Sequence, residues 1–167
     1  VGAADEVAQG LARTPANPLF PAFDITVRVA RLTTAAAWDT RDNSFDSTRG
    51  MLLSSSLDWG PKSIGSDFRY VRQLTQAYAF VPWRGIVFAS AAQVGVARAF
   101  GGQELIPSVR FFAGGARSVR GAPEDALGPT DYLGPAGGGG MVVLNHEVRV
   151  PVYRWIRGVA FIDAGNV

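Results

Sequence analysis

The sequence predicts an all-β fold, namely six consecutive strands of an antiparallel transmembrane β-barrel. Three observations support this prediction. Hydrophobic and polar residues alternate along most of the chain, clusters of Gly, Pro, Asp and Asn interrupt them, and short and long connections follow each other. A soluble β-sandwich would show the same alternation, because it also buries one face of each strand. The spacing of aromatic residues and the unequal connections favour the membrane barrel.

The chain divides into an N-terminal segment and a strand-rich remainder. We expect residues 1–23 to be a loop or irregular, because Pro15, Pro18 and Pro21 follow one another closely. Residues 24–167 are predicted to be part of the barrel domain. Its strands are expected at about residues 24–41, 50–59, 67–80, 85–99, 139–153 and 157–167.

The connections between these strands differ in length. Asp42 and Asn43 are good turn formers after the first strand, and residues 81–84 and 153–157 are predicted as short turns. Residues 100–138 instead form one connection that is rich in Gly and Pro. A loop of that length in a compact domain is usually functional or disordered, and outer-membrane barrels alternate short turns with longer loops.

Aromatic residues lie at both ends of one face of the strand predicted at residues 67–80. Phe68 and Tyr70 stand at one end, and Tyr78 and Phe80 stand at the other. Their separation is roughly 23 Å along a membrane normal for a strand tilted by about 45°, which is the height of a lipid-facing band. We therefore expect them, and the tryptophans at strand ends, to contact the membrane interface. Arg72 on the same face would then cost about 2–4 kcal/mol. The tryptophans are Trp38, Trp59, Trp83 and Trp155.

Composition excludes several classes of function. The chain has 167 residues, no Cys and a single His, His146, so a thiolate metal site, a Cys nucleophile and a Ser-His-Asp triad are not expected. Its 16 basic residues are scattered rather than clustered, which argues against nucleic-acid binding. We expect no enzyme, no metal and no cofactor.

Three segments carry a family resemblance. They are Arg110–Gly121 in the long loop, Gly137–Val152 with its run of four glycines, and Phe161–Val167. In this order and spacing they resemble the signature of the outer-membrane assembly and transport superfamily, which includes the BamA/TamA-type assembly factors and whose barrel is also called the bacterial surface antigen domain. The supporting motif residues are Arg110, Phe111, Phe112, Gly114, Gly115, Phe161 and Gly165.

The resemblance implies a role for the loop motif Val119-Arg120-Gly121. In the family this loop folds back into the barrel lumen, and its Arg pairs with acidic residues of the inner wall. Those acidic residues match Glu147 and Asp163 here, so Arg120 is expected to act as a latch that holds the loop inside.

The strand pattern is compatible with that latch. Glu147 and Asp163 both fall on the lumenal face of their strands by parity, and adjacent antiparallel strands would bring them within reach of one guanidinium. Ala122 departs from the family, which usually has an aromatic residue after Arg-Gly.

The resemblance further implies an integral protein of the bacterial outer membrane that assembles and inserts β-barrel proteins. Its expected partners are outer-membrane lipids and lipopolysaccharide, unfolded outer-membrane protein clients, polypeptide-transport-associated (POTRA) domains of the same chain, and accessory lipoproteins or an inner-membrane partner. A two-partner secretion transporter and a passive surface-antigen or anchor barrel remain alternatives. We expect the chain to belong to a larger barrel of sixteen strands, since six strands are fewer than the smallest common barrel.

Overall fold

The computed structural model describes residues 2–8, 25–132 and 134–167, without the side chains of residues 2–8, 25 and 26. Within these ranges the chain forms one seven-stranded antiparallel sheet and a separate two-stranded hairpin. The prediction of an all-β antiparallel fold is therefore confirmed. In the same ranges, no helix is long and apolar enough to cross a membrane.

The strands of the sheet follow the alternation in the sequence. In chain order the elements are β1 (Gly2–Ala8), β2 (Ile25–Asp39), β3 (Gly50–Gly60), β4 (Tyr70–Trp83), β5 (Ile86–Ala99), β6 (Thr130–Asp131), β7 (Gly134–Pro135), β8 (Gly140–Tyr153) and β9 (Ile156–Asn166). The sheet order is β1-β2-β3-β4-β5-β8-β9, and β6 pairs with β7 inside the long connection. The six predicted strands correspond to β2, β3, β4, β5, β8 and β9. Two single turns of 3-10 helix, Lys62–Ile64 and Pro107–Val109, lie in connections.

β1 is a strand where the sequence predicts an irregular segment. Residues 2–8 pair in antiparallel fashion with residues 25–31 of β2. The reason is that an edge strand offers unpaired N–H and C=O groups, which any extended segment can satisfy without a strong hydrophobic period of its own. The remainder of the predicted irregular segment, residues 1 and 9–23, lies outside the described residues.

The antiparallel order places the connections at two ends of the sheet. The turn end contains residues 40–49, 84–85 and 154–155, and the loop end contains residues 61–69 and 100–139. Arg84 and Gly85 have φ angles of 49° and 82°, which are positive at both positions as a type I′ hairpin turn requires. The long connection thus returns to the sheet from the loop end.

The sheet has two unlike faces. Residues 105–127 of the long connection pack against one of them, which we call the inner face, and the opposite one is the outer face. The buried hydrophobic cluster lies between the loop and the inner face, and it has one fully buried large side chain, Val143. The cluster contains Val29, Tyr70, Ala97, Val109, Phe111, Ala113, Met141 and Val143.

The four aromatic residues of the β4 region lie on the inner face. Tyr70 is 2% exposed and stands over Gly60, its partner on β3, where a Cβ atom would collide with the ring. Phe68 packs against the buried cluster, while Tyr78 and Phe80 line a cavity of about 220 Å³ beside the loop. The prediction that these four residues contact the membrane interface is therefore wrong. Period-2 alternation separates two faces but does not say which is lined by the loop.

The tryptophans lie away from the loop. Trp59 pairs with Val71, next to the inner-face pair of Gly60 and Tyr70, and therefore projects from the outer face. Trp38 and Trp83 are on the outer face at strand ends, and Trp155 is in a turn. All four are at least half exposed, at 62%, 50%, 55% and 85% in chain order. Their contact with the membrane interface stays a prediction.

Candidate functional site

The long connection is closed at its base by backbone hydrogen bonds. The Phe111 N–H donates to the Gly138 carbonyl at 2.8 Å, and the Gly138 N–H donates to the Phe111 carbonyl at 2.9 Å. One step further on, the Leu127 N–H donates to the Ala113 carbonyl at 3.0 Å. We call residues 109–113 together with residues 137–139 the loop base, and residues 114–126 the loop tip.

Side chains add two further connections within the loop. The Arg110 guanidinium donates to the Leu105 carbonyl at 2.8 Å and to the Ala136 carbonyl at 2.9 Å, so it joins the start of the loop to its end.

Gly114 opens the loop tip with a φ of 121°, which favours glycine. The Ser118 hydroxyl then donates to the Gly114 carbonyl at 2.8 Å and accepts from the Gly114 N–H at 2.7 Å.

The loop tip contacts the wall of the sheet through Arg120. Its Nε and Nη2 atoms donate to the two carboxylate oxygens of Asp163 at 2.7 and 2.8 Å, and its backbone N–H donates to Asp163 Oδ2 at 2.9 Å. Its Nη1 atom donates to Glu147 Oε1 at 2.5 Å. The guanidinium also lies 3.8 Å from the ring centre of Phe161. The fork geometry of arginine thus reaches two carboxylates and one aromatic face.

Strand register explains why these groups meet. Asn145 pairs with Asp163 and Glu147 pairs with Phe161, so all four side chains share the inner face of β8 and β9. The Asp163 side chain is 2% exposed, whereas those of Glu147 and Arg120 are 19% and 27% exposed. Asn145 Nδ2 also donates to the Ser118 carbonyl at 2.6 Å, which adds a second polar contact to the loop tip.

The site keeps Arg120 in its charged form. Its hydrogen bonds with Asp163 are the main reason that the pKa of the guanidinium lies above its ordinary value, and those with Glu147 act in the same direction. Arg149 supplies the second positive charge, because its Nε and Nη2 atoms lie 2.9 and 2.8 Å from Glu147 Oε2. Two arginines therefore balance two carboxylates, one oxygen of Glu147 facing each arginine.

The ionic contacts continue to the turn end of the sheet. Arg149 Nη1 lies 3.5 Å from the carbonyl of buried Ser47 and 4.0 Å from Asp46, both in the connection between β2 and β3. Asp46 accepts hydrogen bonds from Arg157 Nη1 at 2.7 and 3.0 Å. These contacts connect the turn of residues 40–49 to β8 and β9 at the turn end of the sheet. The loop tip contacts the same two strands but comes from the loop end.

The conformation of that turn depends on the charge of Asp42. Its carboxylate accepts hydrogen bonds from the Thr48 hydroxyl at 2.5 Å, the Thr48 N–H at 2.9 Å and the Arg49 N–H at 3.1 Å. The bonds from Thr48 are the largest cause that lowers the pKa of Asp42 from 3.8 to about 2. Because the folded-state pKa is lowered, the stabilisation is complete above pH 3.8 and is lost as the pH falls through about 2.

We therefore expect the Thr48 and Arg49 amide resonances to keep their positions from neutral pH to about pH 4 and to shift toward random-coil values near pH 2. An NMR titration of the folded protein would measure this. Asp42→Asn is the control, since it removes the titrating group and should abolish the pH-dependent shift. A midpoint near the ordinary aspartate value would contradict the role assigned to Thr48.

The other motif residues fall around the loop. Val119 contacts Gly165 so closely that a Cβ atom there would lie 2.9 Å from Val119 Cγ2, which only glycine avoids. Phe111 is 3% exposed in the buried cluster. The remaining motif residues that frame the loop are Phe112, whose ring lies against Gly137, Gly115, which is beside Glu124, and Gly121, which faces open space.

Several contacting residues were not identified by sequence reasoning. Arg149 carries a signal that parity could have found, because it lies two residues after Glu147 and so shares its face. Gly95 within β5 is another such signal, since a glycine inside a strand marks a close approach. Asn145 and Ser118 carry no such signal in the sequence, because polar residues are ordinary on a lumenal face. Across the described ranges, no group of three or more His, Cys, Asp or Glu side chains is arranged to hold a metal ion.

Comparison with known proteins identifies the class of protein. The profile described as the Omp85 superfamily domain matches residues 26–167, so the chain belongs to the Omp85 superfamily. Among solved structures, the crystal structure of BamA from Haemophilus ducreyi lacking POTRA domains 1–3 superposes with a TM-score of 0.77 at 23% sequence identity. The match covers 92% of this chain and 33% of that one, so this chain has the fold of about a third of it. No curated protein sequence matches the chain.

Proposed function

We propose that the chain is part of an integral outer-membrane barrel that inserts β-barrel proteins into the bacterial outer membrane without a catalytic step of its own. Membership of the Omp85 superfamily and the BamA-like fold support a barrel of the insertion or translocation kind. The finer assignment to insertion, and the role of Arg120 as a releasable latch, are proposals.

One observation carries the latch. Arg120 of the loop tip reaches across to β8 and β9, and its main contacts are hydrogen bonds and ion pairs, beside the face of Phe161 and the packing of Val119 on Gly165. Such contacts can be exchanged for water with little net cost when the site opens, whereas a packed apolar cluster cannot. A loop attached in this way can therefore leave the inner face while the sheet stays folded.

The proposed partners follow from the same reading. The exposed apolar outer face, with Trp38, Trp59 and Trp83 at strand ends, would contact outer-membrane lipids and lipopolysaccharide. Unfolded β-barrel polypeptides would be the clients, since an unpaired strand edge is a template for an incoming strand. POTRA domains of the same chain and accessory lipoproteins or an inner-membrane partner would deliver them.

A second candidate is polypeptide translocation. The observation in its favour is that the loop lies against the inner face and leaves a cavity of about 220 Å³ lined by Tyr78, Gln93 and Arg117 among others. In that case the loop would control a passage through the barrel instead of the shape of its wall. The Arg120→Ala variant tests both candidates.

The experiment compares wild type with Arg120→Ala in proteoliposomes that contain the full-length protein. If the chain inserts barrels, wild type should speed the protease-resistant insertion of an unfolded outer-membrane β-barrel polypeptide, and Arg120→Ala should reduce that rate about tenfold or more. Glu124→Ala is the matched control, because it removes another exposed charged side chain of the same loop tip, one that does not line the cavity.

The outcomes separate the candidates. Appearance of an exported, non-barrel polypeptide on the far side of the vesicle, with no effect on barrel insertion, would favour translocation. Neither activity in wild type would remove both and leave a passive barrel. Equal insertion rates for wild type and Arg120→Ala would refute the latch while leaving the insertion function in place.

A further inference from the structure

Arg72 and Phe111 form a second contact between the loop and the sheet. Arg72 is the third residue of β4 and lies on the inner face near the loop end, with its guanidinium carbon 4.3 Å from the centre of the Phe111 ring. Asp58 on β3 is the nearby carboxylate, with its Oδ2 atom 3.7 Å from Arg72 Nη1. This position also explains why a charge is tolerated in β4, because an inner-face arginine avoids the lipid.

Gly95 provides the space for this contact. It pairs with Leu74 on β4 and with Met141 on β8, and a Cβ atom at Gly95 would lie 2.5 Å from the Phe111 Cζ atom. The Phe111 ring therefore lies directly on the backbone of β5, with Arg72 over it. Any side chain at Gly95 would displace the ring.

The Arg72 contact differs in character from the Arg120 contact. Phe111 is 3% exposed, and its neighbours Val109 and Ala113 are 3% and 1% exposed. In the described part of the chain, the buried Arg72 Nε atom has no hydrogen-bond partner, and the guanidinium lies between the Phe111 ring and Asp58. The loop base is thus held by packing, which does not exchange readily with water.

We propose that Arg72, Gly95 and Phe111 form a fixed anchor for the loop base, about which the loop tip moves when Arg120 is released. The pivot is the hydrogen bond from the Leu127 N–H to the Ala113 carbonyl, where the tip joins the base. These three are positioning residues: they determine where the tip returns relative to Glu147 and Asp163. The inference rests on the proposed function only in that release of the tip serves it.

Hydrogen exchange of the full-length protein in lipid nanodiscs tests the anchor, with peptides that cover residues 109–113 and residues 116–122 read separately. Arg120→Ala should raise exchange at residues 116–122 about tenfold or more and leave residues 109–113 within about twofold of wild type. Gly95→Ala should raise exchange in both segments, because displacement of the Phe111 ring would remove the contact between the loop base and β5. Gly140→Ala is the matched control, since a Cβ atom there meets nothing within 4 Å.

A conservative pair of variants separates positioning from general folding. Arg72→Lys keeps a cation that can lie over the ring and should preserve protection of residues 109–113, whereas Arg72→Gln should lose it. Adding Phe111→Leu to Gly95→Ala should restore part of the protection, because the smaller side chain relieves the collision. Exchange in the Arg72 variants and in the double variant still tests the anchor if Gly95→Ala alone fails to fold.

Two results would overturn the proposal. If Arg120→Ala raised exchange at residues 109–113 as much as at residues 116–122, base and tip would open as one unit without a fixed anchor. If Gly95→Ala left residues 109–113 protected, the contact with Phe111 would not hold the base. Neither reading depends on insertion activity, so failure of the anchor and failure of the proposed function are distinguishable.

Discussion

Asp163→Ala is expected to free the loop tip and to lower the free energy of unfolding by about 2–4 kcal/mol. The substitution removes the acceptor of three hydrogen bonds from Arg120 and leaves the guanidinium with Glu147 and the face of Phe161. Breaking a buried ion pair typically costs about 3–5 kcal/mol. The expected value is lower because Arg120 is 27% exposed and can regain some hydration. Denaturant unfolding of the protein in detergent, followed by tryptophan fluorescence, would measure it.

Glu147→Ala is the comparison variant, because it removes the other carboxylate that contacts Arg120. Glu147 accepts one hydrogen bond from Arg120 and otherwise faces Arg149, so Glu147→Ala should raise hydrogen exchange at residues 116–122 less than Asp163→Ala does. In a double-mutant cycle, Arg120→Ala and Asp163→Ala should be strongly non-additive, with a coupling of about 1–3 kcal/mol. Additive effects on stability, or equal exchange at residues 116–122 in the two carboxylate variants, would contradict the contact pattern described for Arg120.

Phe111→Ala is expected to have the largest effect on stability, about 3–5 kcal/mol. The ring is almost fully buried between Gly95 and Arg72. Its removal leaves a cavity and an arginine without its aromatic neighbour. The same unfolding experiment, together with exchange at the Gly138 amide, would measure the loss.

Phe112→Ala is the matched control for that prediction. Phe112 is the next residue, has the same side chain and is only half-buried, with its ring against Gly137. We expect a loss of about 1–2 kcal/mol, since less apolar surface returns to water. If the two phenylalanine substitutions had equal effects, burial against Gly95 would not be what distinguishes Phe111.

The two predictions describe a loop with two kinds of attachment. Apolar packing around Phe111 secures the base to β4 and β5, and charged hydrogen bonds from Arg120 secure the tip to β8 and β9. Packing resists opening in proportion to the apolar area that water would reach, whereas the hydrogen bonds of Arg120 are replaced by bonds to water once the site opens. Release of the loop tip without loss of the fold, which the proposed function requires, is what these two predictions test.

Strand identity could be predicted from the sequence because alternation is a local property of the chain. The predicted strand at residues 139–153 corresponds to β8 within one residue at its start. The turns predicted at residues 81–84 and 153–157 are shorter in the structure, at residues 84–85 and 154–155, because the flanking residues extend β4, β8 and β9. Arg120, Glu147 and Asp163 could be named together only through the family motifs. Parity then assigned both carboxylates to the same face, and the register of β8 with β9 brings them together.

The aromatic residues of the β4 region show what cannot be predicted from the local pattern of a strand. Phe68, Tyr70, Tyr78 and Phe80 were placed correctly on one side of the strand but on the wrong side of the sheet, since nothing in the strand itself says that the loop covers that side. Arg72 and Gly95 were unexplained for the same reason. Each makes sense only beside Phe111, which is at least sixteen residues away along the chain.

By itself, the sequence determined the all-β class, most of the strands, the two unlike ends of the sheet and the motif residues of the loop. Only the tertiary structure decided which face the loop covers, how β1 adds to the edge of β2, and which side chains attach the loop. The physical reason is that backbone pattern and turn chemistry act over a few residues. Which face becomes the inner one depends instead on contacts between segments that are distant in sequence, such as Phe111 with Gly95 and Arg120 with Asp163.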